Sequence, residues 1–222
     1  EIIPEGKVAN LLQAFEDRPM SFNAWDIDIY YQEKKYTIDQ LEQMKIEKFS
    51  DRIVVNFEWK FLDSTIWQQM LVYANQRRID FKTEVDWQQE QILLKAAFPV
   101  DIHNTKATYE IQFGNVERNT HWNTSWDYAK FETVGHKWAD LSERDYGVSL
   151  LNDCKYGYDI KDKTMRLSLI KSGVYPDPGA DQGQHSFTYS LYPHGGDWFE
   201  AETVKEAYEL NYPLQTVITQ TV

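Results

Sequence analysis

Arg78-Ile79-Asp80-Phe81-Lys82-Thr83-Glu84-Val85-Asp86-Trp87 has a period of two. Its even positions are all charged, and its odd positions are apolar except Thr83. Successive strand side chains point to opposite faces, so the pattern predicts a half-buried strand with one solvated face. The same alternation recurs on either side of it. Ile53, Val55, Phe57, Trp59 and Phe61 alternate with Arg52, Asn56, Glu58 and Lys60. Ala107 to Phe113, Met165 to Leu169 and Phe187 to Leu191 follow the same rule.

Ile66–Tyr73 and Gln91–Phe98 are apolar on both faces and read as strands nearer the middle of a sandwich. Asp26–Tyr31, Phe131–Leu141 and Gly147–Leu151 bring the count of candidates to about ten, separated by turn-like stretches such as Ala74-Asn75-Gln76 and Asp159–Lys163. Polar outer faces favour antiparallel pairing, and that many strands need two packed sheets. Helical signal is sparse. Asp197 is placed to cap a short helix through about Leu210, and Thr37–Lys45 reads as another turn or two with Ile38, Leu41 and Met44 inward. The predicted fold is all-β: two packed, mainly antiparallel sheets with one or two short accessory helices, as a single domain over residues 1–222. Ser172–Gln184 holds two prolines and three glycines and reads as a long, functional or packed loop.

The chain has 222 residues, a net charge of −12 and one cysteine, Cys154. The negative balance argues against nucleic acid and anionic membrane as partners. One cysteine leaves no internal disulfide and no multi-cysteine zinc site, and a buried structural role is expected for it. Apolar runs are too short for a membrane span, and no leader pattern opens the chain. It begins Glu1-Ile2-Ile3-Pro4, which suggests a piece of a longer protein.

Aromatic residues make up 15% of the sequence. Such rings fill β cores, and flat rings also cover the C–H faces of sugars. No nucleophile elbow, P-loop, dinucleotide fingerprint or H-E-x-x-H is present. The five histidines lack ligand spacing, so no metal site is expected in this chain. Asp26 and Asp28 are two apart on the strand expected there, where two carboxylates on one face bind hydroxyls or stand solvated. Asn123-Thr124-Ser125 matches a glycosylation sequon, a pattern common by chance. The densest polar-aromatic stretch is Asn119–Asp140. With Arg118 it brings His121, Trp122, Trp126, Asp127, His136, Trp138 and Asp140 close in sequence, a composition suited to a carbohydrate surface or a buried interface.

Several long blocks carry a resemblance that spans nearly the whole chain. They include Leu12–Pro19, Ala24-Trp25-Asp26-Ile27-Asp28-Ile29-Tyr30-Tyr31, Ile111–Arg118, Asn123–Asp127, His136–Glu143, Leu150–Gly157, Tyr175–Pro178 and Phe187–His194. In this order they resemble the C-terminal region of glycoside hydrolase family 38 α-mannosidases, the cytosolic and bacterial branch above all. Asn119 stands where the family usually has Pro, and Lys130 where it often has Arg.

The resemblance implies a mutarotase-like supersandwich from a retaining exo-α-mannosidase. It implies that the nucleophile, the general acid and a zinc ion belong to an N-terminal barrel, followed by a helical bundle, so this chain would hold no catalytic residue and no cofactor. The implied partners are that catalytic domain and a mannose-containing oligosaccharide, the implied location is cytoplasmic, and oligomerisation is left open. Trp25, Asp26, Asp153 and Lys155 would lie at the substrate-pocket rim. Arg118, His121, Trp126 and Asp127 would face a domain interface or a sugar. Two further readings stay open: a free-standing aldose epimerase, drawing on His103, His136 or His185, and a non-catalytic sugar-binding module.

Overall fold

The computed structural model describes residues 2–219. Along the chain run β1 (Leu11–Glu16), a 3-10 turn (Ile29–Glu33), β2 (Lys35–Thr37), β3 (Gln40–Lys48), β4 (Arg52–Phe61), β5 (Ser64–Tyr73), β6 (Ile79–Trp87) and β7 (Ile92–Pro99). Then come β8 (Lys106–Ile111), β9 (Gly114–Asn119), α1 (Ser125–Tyr128), β10 (Thr133–Val134), β11 (Trp138–Ser142), β12 (Tyr146–Asn152), β13 (Gly157–Lys161), β14 (Thr164–Lys171), β15 (Gly183–Gly195) and α2 (Thr203–Asn211). Six strands form one sheet in the order β10-β13-β14-β7-β1-β2. Nine form the other, β3-β4-β5-β6-β15-β12-β11-β8-β9. The pairings are antiparallel, as the alternating patterns predict.

The apolar faces meet between the sheets. Phe81, Val85 and Trp87 of β6 pack with Leu94, Ala96 and Phe98 of β7, Leu167 of β14 and Tyr189 of β15. The charged face of β6 divides in two. Lys82 and Glu84 are solvated, whereas Arg78 and Asp80 are buried under α2. There Arg78 Nε donates to Asp80 at 2.8 Å, and Nη1 donates to the Glu206 carbonyl at 3.1 Å. A strand pattern reveals the alternation but not which stretch a helix will later cover.

Four local expectations change. Thr37–Lys45 is not helical: it holds the end of β2 and most of β3. A bulge between Leu41 and Gln43 puts Leu41 and Met44 on one face three residues apart, which mimics a helical period. Asp26–Tyr31 is not a strand: Asp26–Asp28 is irregular and leads into the 3-10 segment, so Asp26 and Asp28 share no strand face. Ile27 and Tyr31, four apart, pack with Phe15, Leu93 and Phe131 on the outer side of the six-stranded sheet. Most of the expected turn Asp159–Lys163 is strand, and only Asp162-Lys163 reverses the chain. Phe131–Leu141 is interrupted at residues 135–137, where it passes from one sheet to the other.

Candidate functional site

Register decides what the chain gathers. At one end of the six-stranded sheet lie the close of β1, the start of β7, the close of β14 and the start of β13, because Glu16 pairs with Ile92, Leu93 with Lys171 and Gly157 with Ser168. The connections 17–28, 153–156 and 172–182 meet the sheet at that end. Trp25 and Asp26 sit in the first and Asp153 and Lys155 in the second, so two pairs distant in sequence share one end of the sheet.

The first connection is tightly wound. Phe22 holds a left-handed backbone at φ 55, rare for a bulky residue. Its carbonyl accepts from Trp25 and Asp26 N–H, each at 2.9 Å. The rings of Phe22 and Trp25 stack at 5.5 Å and are respectively 57% and 67% exposed. Beneath them Asn23 is buried, and its Oδ1 accepts from Val174 N–H of the third connection. Met20 and Tyr175 are also solvent-facing here. Asp26 is exposed, and Asp28 accepts from Met20 N–H at 2.8 Å.

In the second connection Asp153 Oδ2 accepts from Thr188 N–H at 2.9 Å, while its Oδ1 is buried with no hydrogen-bond partner. The Lys155 ammonium lies 4.6 Å from the ring centroid of Phe187. Cys154 between them is exposed, which corrects the expectation of a buried thiol. Partial burial and the neighbouring Asp153 carboxylate push its pKa up to about 11.

Under this end lies a charged cluster that sequence reading missed. Lys95, in the middle of the apolar run of β7, is fully buried and pairs with Glu132. Its Nζ is 3.0 Å from the Tyr31 hydroxyl and 3.7 Å from Asp159 Oδ2. Arg166 Nη1 donates to Asp159 at 2.9 Å, and the Tyr31 hydroxyl donates to Glu132 at 2.8 Å. Burial draws the Lys95 ammonium down to about 8, with Asp159 pulling the other way. Nearby, Asp17 is buried and paired with Lys171. Burial raises its carboxyl, and Oδ1 has no partner. A lone lysine inside Ile92–Phe98 was the available signal.

Arg118, His121, Trp126 and Asp127 lie elsewhere. Asp162 N–H donates to the Thr120 carbonyl, and Lys161 covers the Trp122 ring at 4.4 Å. Both place the 119–128 segment at the far end of β13. Asp127 is buried, and it accepts from Asn119 and the Thr124 hydroxyl at 2.8 Å each. Those hydrogen bonds hold its carboxyl below its ordinary value. Its own N–H closes the cap of α1 on Thr124. Arg118 stacks over Tyr109 at 4.6 Å, and Trp126 is solvent-facing.

A second missed group resembles a hydrolytic triad but is sealed. Ser149 Oγ donates to Asp140 Oδ2 at 2.7 Å, and His194 Nε2 lies 2.8 Å from that oxygen. Thr203 of α2 closes over Ser149 at 2.8 Å, and all four residues are buried. No substrate reaches this hydroxyl, and the group anchors α2. Of the histidines an epimerase would draw on, His136 packs against Tyr156 and His185 Nε2 meets the Asp181 carbonyl at 2.8 Å. Among the described residues, no three His, Cys, Asp or Glu side chains are arranged to hold a metal ion, and no helix is long and apolar enough to cross a membrane.

The model for the C-terminal domain of glycosyl hydrolases family 38 matches residues 1–179. The chain is 45% identical over 212 residues to alpha-mannosidase G of Dictyostelium discoideum, covering 93% of this chain and 20% of that protein. It is 39% identical over 219 residues to alpha-mannosidase 2C1 of Homo sapiens, covering 96% and 21%. The chain thus spans about a fifth of the length of these curated relatives. Among solved structures it shares its fold with an alpha-mannosidase from Enterococcus faecalis V583, at TM-score 0.79 and 13% identity, over 92% of this chain and 28% of that one.

Proposed function

The chain belongs to the C-terminal domains of glycosyl hydrolases family 38, and from that premise we propose that it is the β-sandwich part of a longer retaining exo-α-mannosidase. On this reading it supports a catalytic barrel in the rest of the polypeptide and completes the rim of the barrel's pocket. Retaining hydrolysis needs two carboxyl groups flanking the glycosidic bond. Those, and the zinc implied by the resemblance, belong on this reading to the barrel. The substrate is a terminal α-mannoside of an oligosaccharide, and the setting is cytoplasmic mannose metabolism. A negative balance and a single cysteine accord with that setting.

The observation that carries the reading is that the Trp25–Asp26 loop and the Asp153–Lys155 turn lie at the same end of the six-stranded sheet, with Phe22, Met20 and Tyr175 exposed in the connections of that end. An aromatic patch beside free polar groups suits an interdomain contact that also borders a sugar site. Trp25 offers a ring face to a pyranose, Asp26 accepts from hydroxyls, and Lys155 donates to them. The test is Trp25→Ala, Asp26→Asn and Lys155→Ala in the full-length enzyme. Each is expected to lower kcat/KM on an α-mannoside by about tenfold, the scale of one lost polar or stacking contact. Wild-type efficiency in all three removes the rim assignment.

A further inference from the structure

The nine-stranded sheet carries a second concave surface, on its solvent side. A cleft of about 410 Å³ runs across β3, β4, β5, β6 and β15, within the ~300–1,000 Å³ range of small-ligand sites. Register arranges its wall in two cross-strand rows. One reads Gln43, Glu58, Trp67, Glu84 and Ser186; the next reads Lys45, Asn56, Gln69, Lys82 and Thr188.

Trp67 is 40% exposed at the centre of the first row, with a carboxylate directly opposite it on each side. In the second row Gln69 donates to Asn56 at 2.9 Å, which fixes the two amides. Among the described residues, Glu58, Lys82 and Glu84 join no ion pair and their side chains make no hydrogen bond. The row carboxylates therefore keep their acceptor capacity, and Lys82 keeps its donors.

These features select a ligand class. Lys45 is paired with Glu47, so an anion would meet the unpaired Glu58 and Glu84 and a cation the unpaired Lys82, and a neutral ligand suits the cleft best. An indole face between hydroxyl acceptors, with amides and an ammonium one row away, matches the apolar C–H face and ring of hydroxyls of a pyranose. We propose that this cleft is a binding site for a neutral oligosaccharide, distinct from the rim at the end of the six-stranded sheet.

The test is calorimetric titration of the full-length polypeptide, its catalytic pocket filled beforehand by a tight mannosidase inhibitor, with an uncleavable thio-linked α-mannobiose and with cellobiose. At least one is expected to bind at millimolar level. Trp67→Ala and the shape-conserving Glu84→Gln should each weaken that binding by about tenfold, leaving kcat/KM on an aryl α-mannoside unchanged. No binding of either sugar, or equal binding by both variants, overturns the site. The rim is read out by turnover and the cleft by this binding, so failure of one leaves the other standing.

Discussion

Lys95 shows how much a single position in an apolar strand decides. A fully buried ammonium persists only where carboxylates and hydroxyls replace water, and Glu132, Asp159 and Tyr31 do so here. Removing one partner strands the others. Lys95→Met is expected to destabilise the chain by about 3–5 kcal/mol in urea unfolding, and the double variant Lys95→Met/Glu132→Leu by less than the sum of its singles. Additive losses would mean that the two groups do not act as a pair. Cys154 gives an independent check. With its pKa near 11, the thiolate fraction at neutral pH is on the order of 10⁻⁴. Maleimide labelling should climb steadily with pH toward about 11, and a plateau near the ordinary thiol value would contradict the partial desolvation of the thiol and the Asp153 contact. Lys95 was visible in the sequence as a charge inside an apolar run. Its partners were not, because Tyr31, Glu132 and Asp159 come from three separate segments, a 3-10 turn, a loop and a strand, which meet only in the folded chain.

At the scale of elements, close approach of strands sets the limits. Gly147 begins the pairing of β12 with β11, opposite Ser142, and lies opposite His194 in its pairing with β15. A Cβ there would strike Ser142 Oγ and fall 2.6 Å from His194 Cε1, two buried atoms with little room to move. Gly147→Ala is expected to cost about 1–3 kcal/mol by overpacking. A melting temperature equal to that of the unsubstituted chain would show that α2 and its polar anchor yield easily. Strand identity was largely legible here, since period two survives wherever one face is buried, as in β6, β4 and β14. It failed where a bulge reset the phase in β3 and where an alternating segment, Asp26–Tyr31, lay across a sheet instead of joining it. The candidate site was legible in part: the residues of both loops were named, but not that they share an end of one sheet. The solvent-side cleft escaped notice because its rows run across strands, at right angles to the sequence.

For the whole molecule, the aromatic core makes a statement about alkaline pH. Burial raises the hydroxyls of Tyr73 and Tyr109 to about 12 from an ordinary 10.0, and it raises Tyr31, Tyr158 and Tyr189 in the same direction. A folded pKa above the unfolded one means that the native state holds more protons in that interval. The contribution is intact below pH 10 and is lost as pH rises toward 12. Urea midpoints should therefore fall steadily above pH 10, with tyrosinate absorbance lagging until unfolding; a flat midpoint would contradict the burial of these hydroxyls. On the function proposed above, this sandwich is one part of a glycosidase whose reacting groups reside in the remaining polypeptide. Aglycone release from an aryl α-mannoside, measured side by side for the 222-residue chain and for the full-length polypeptide, tests it most directly. Turnover by the full-length polypeptide alone is the predicted result, and release by the isolated chain would contradict it.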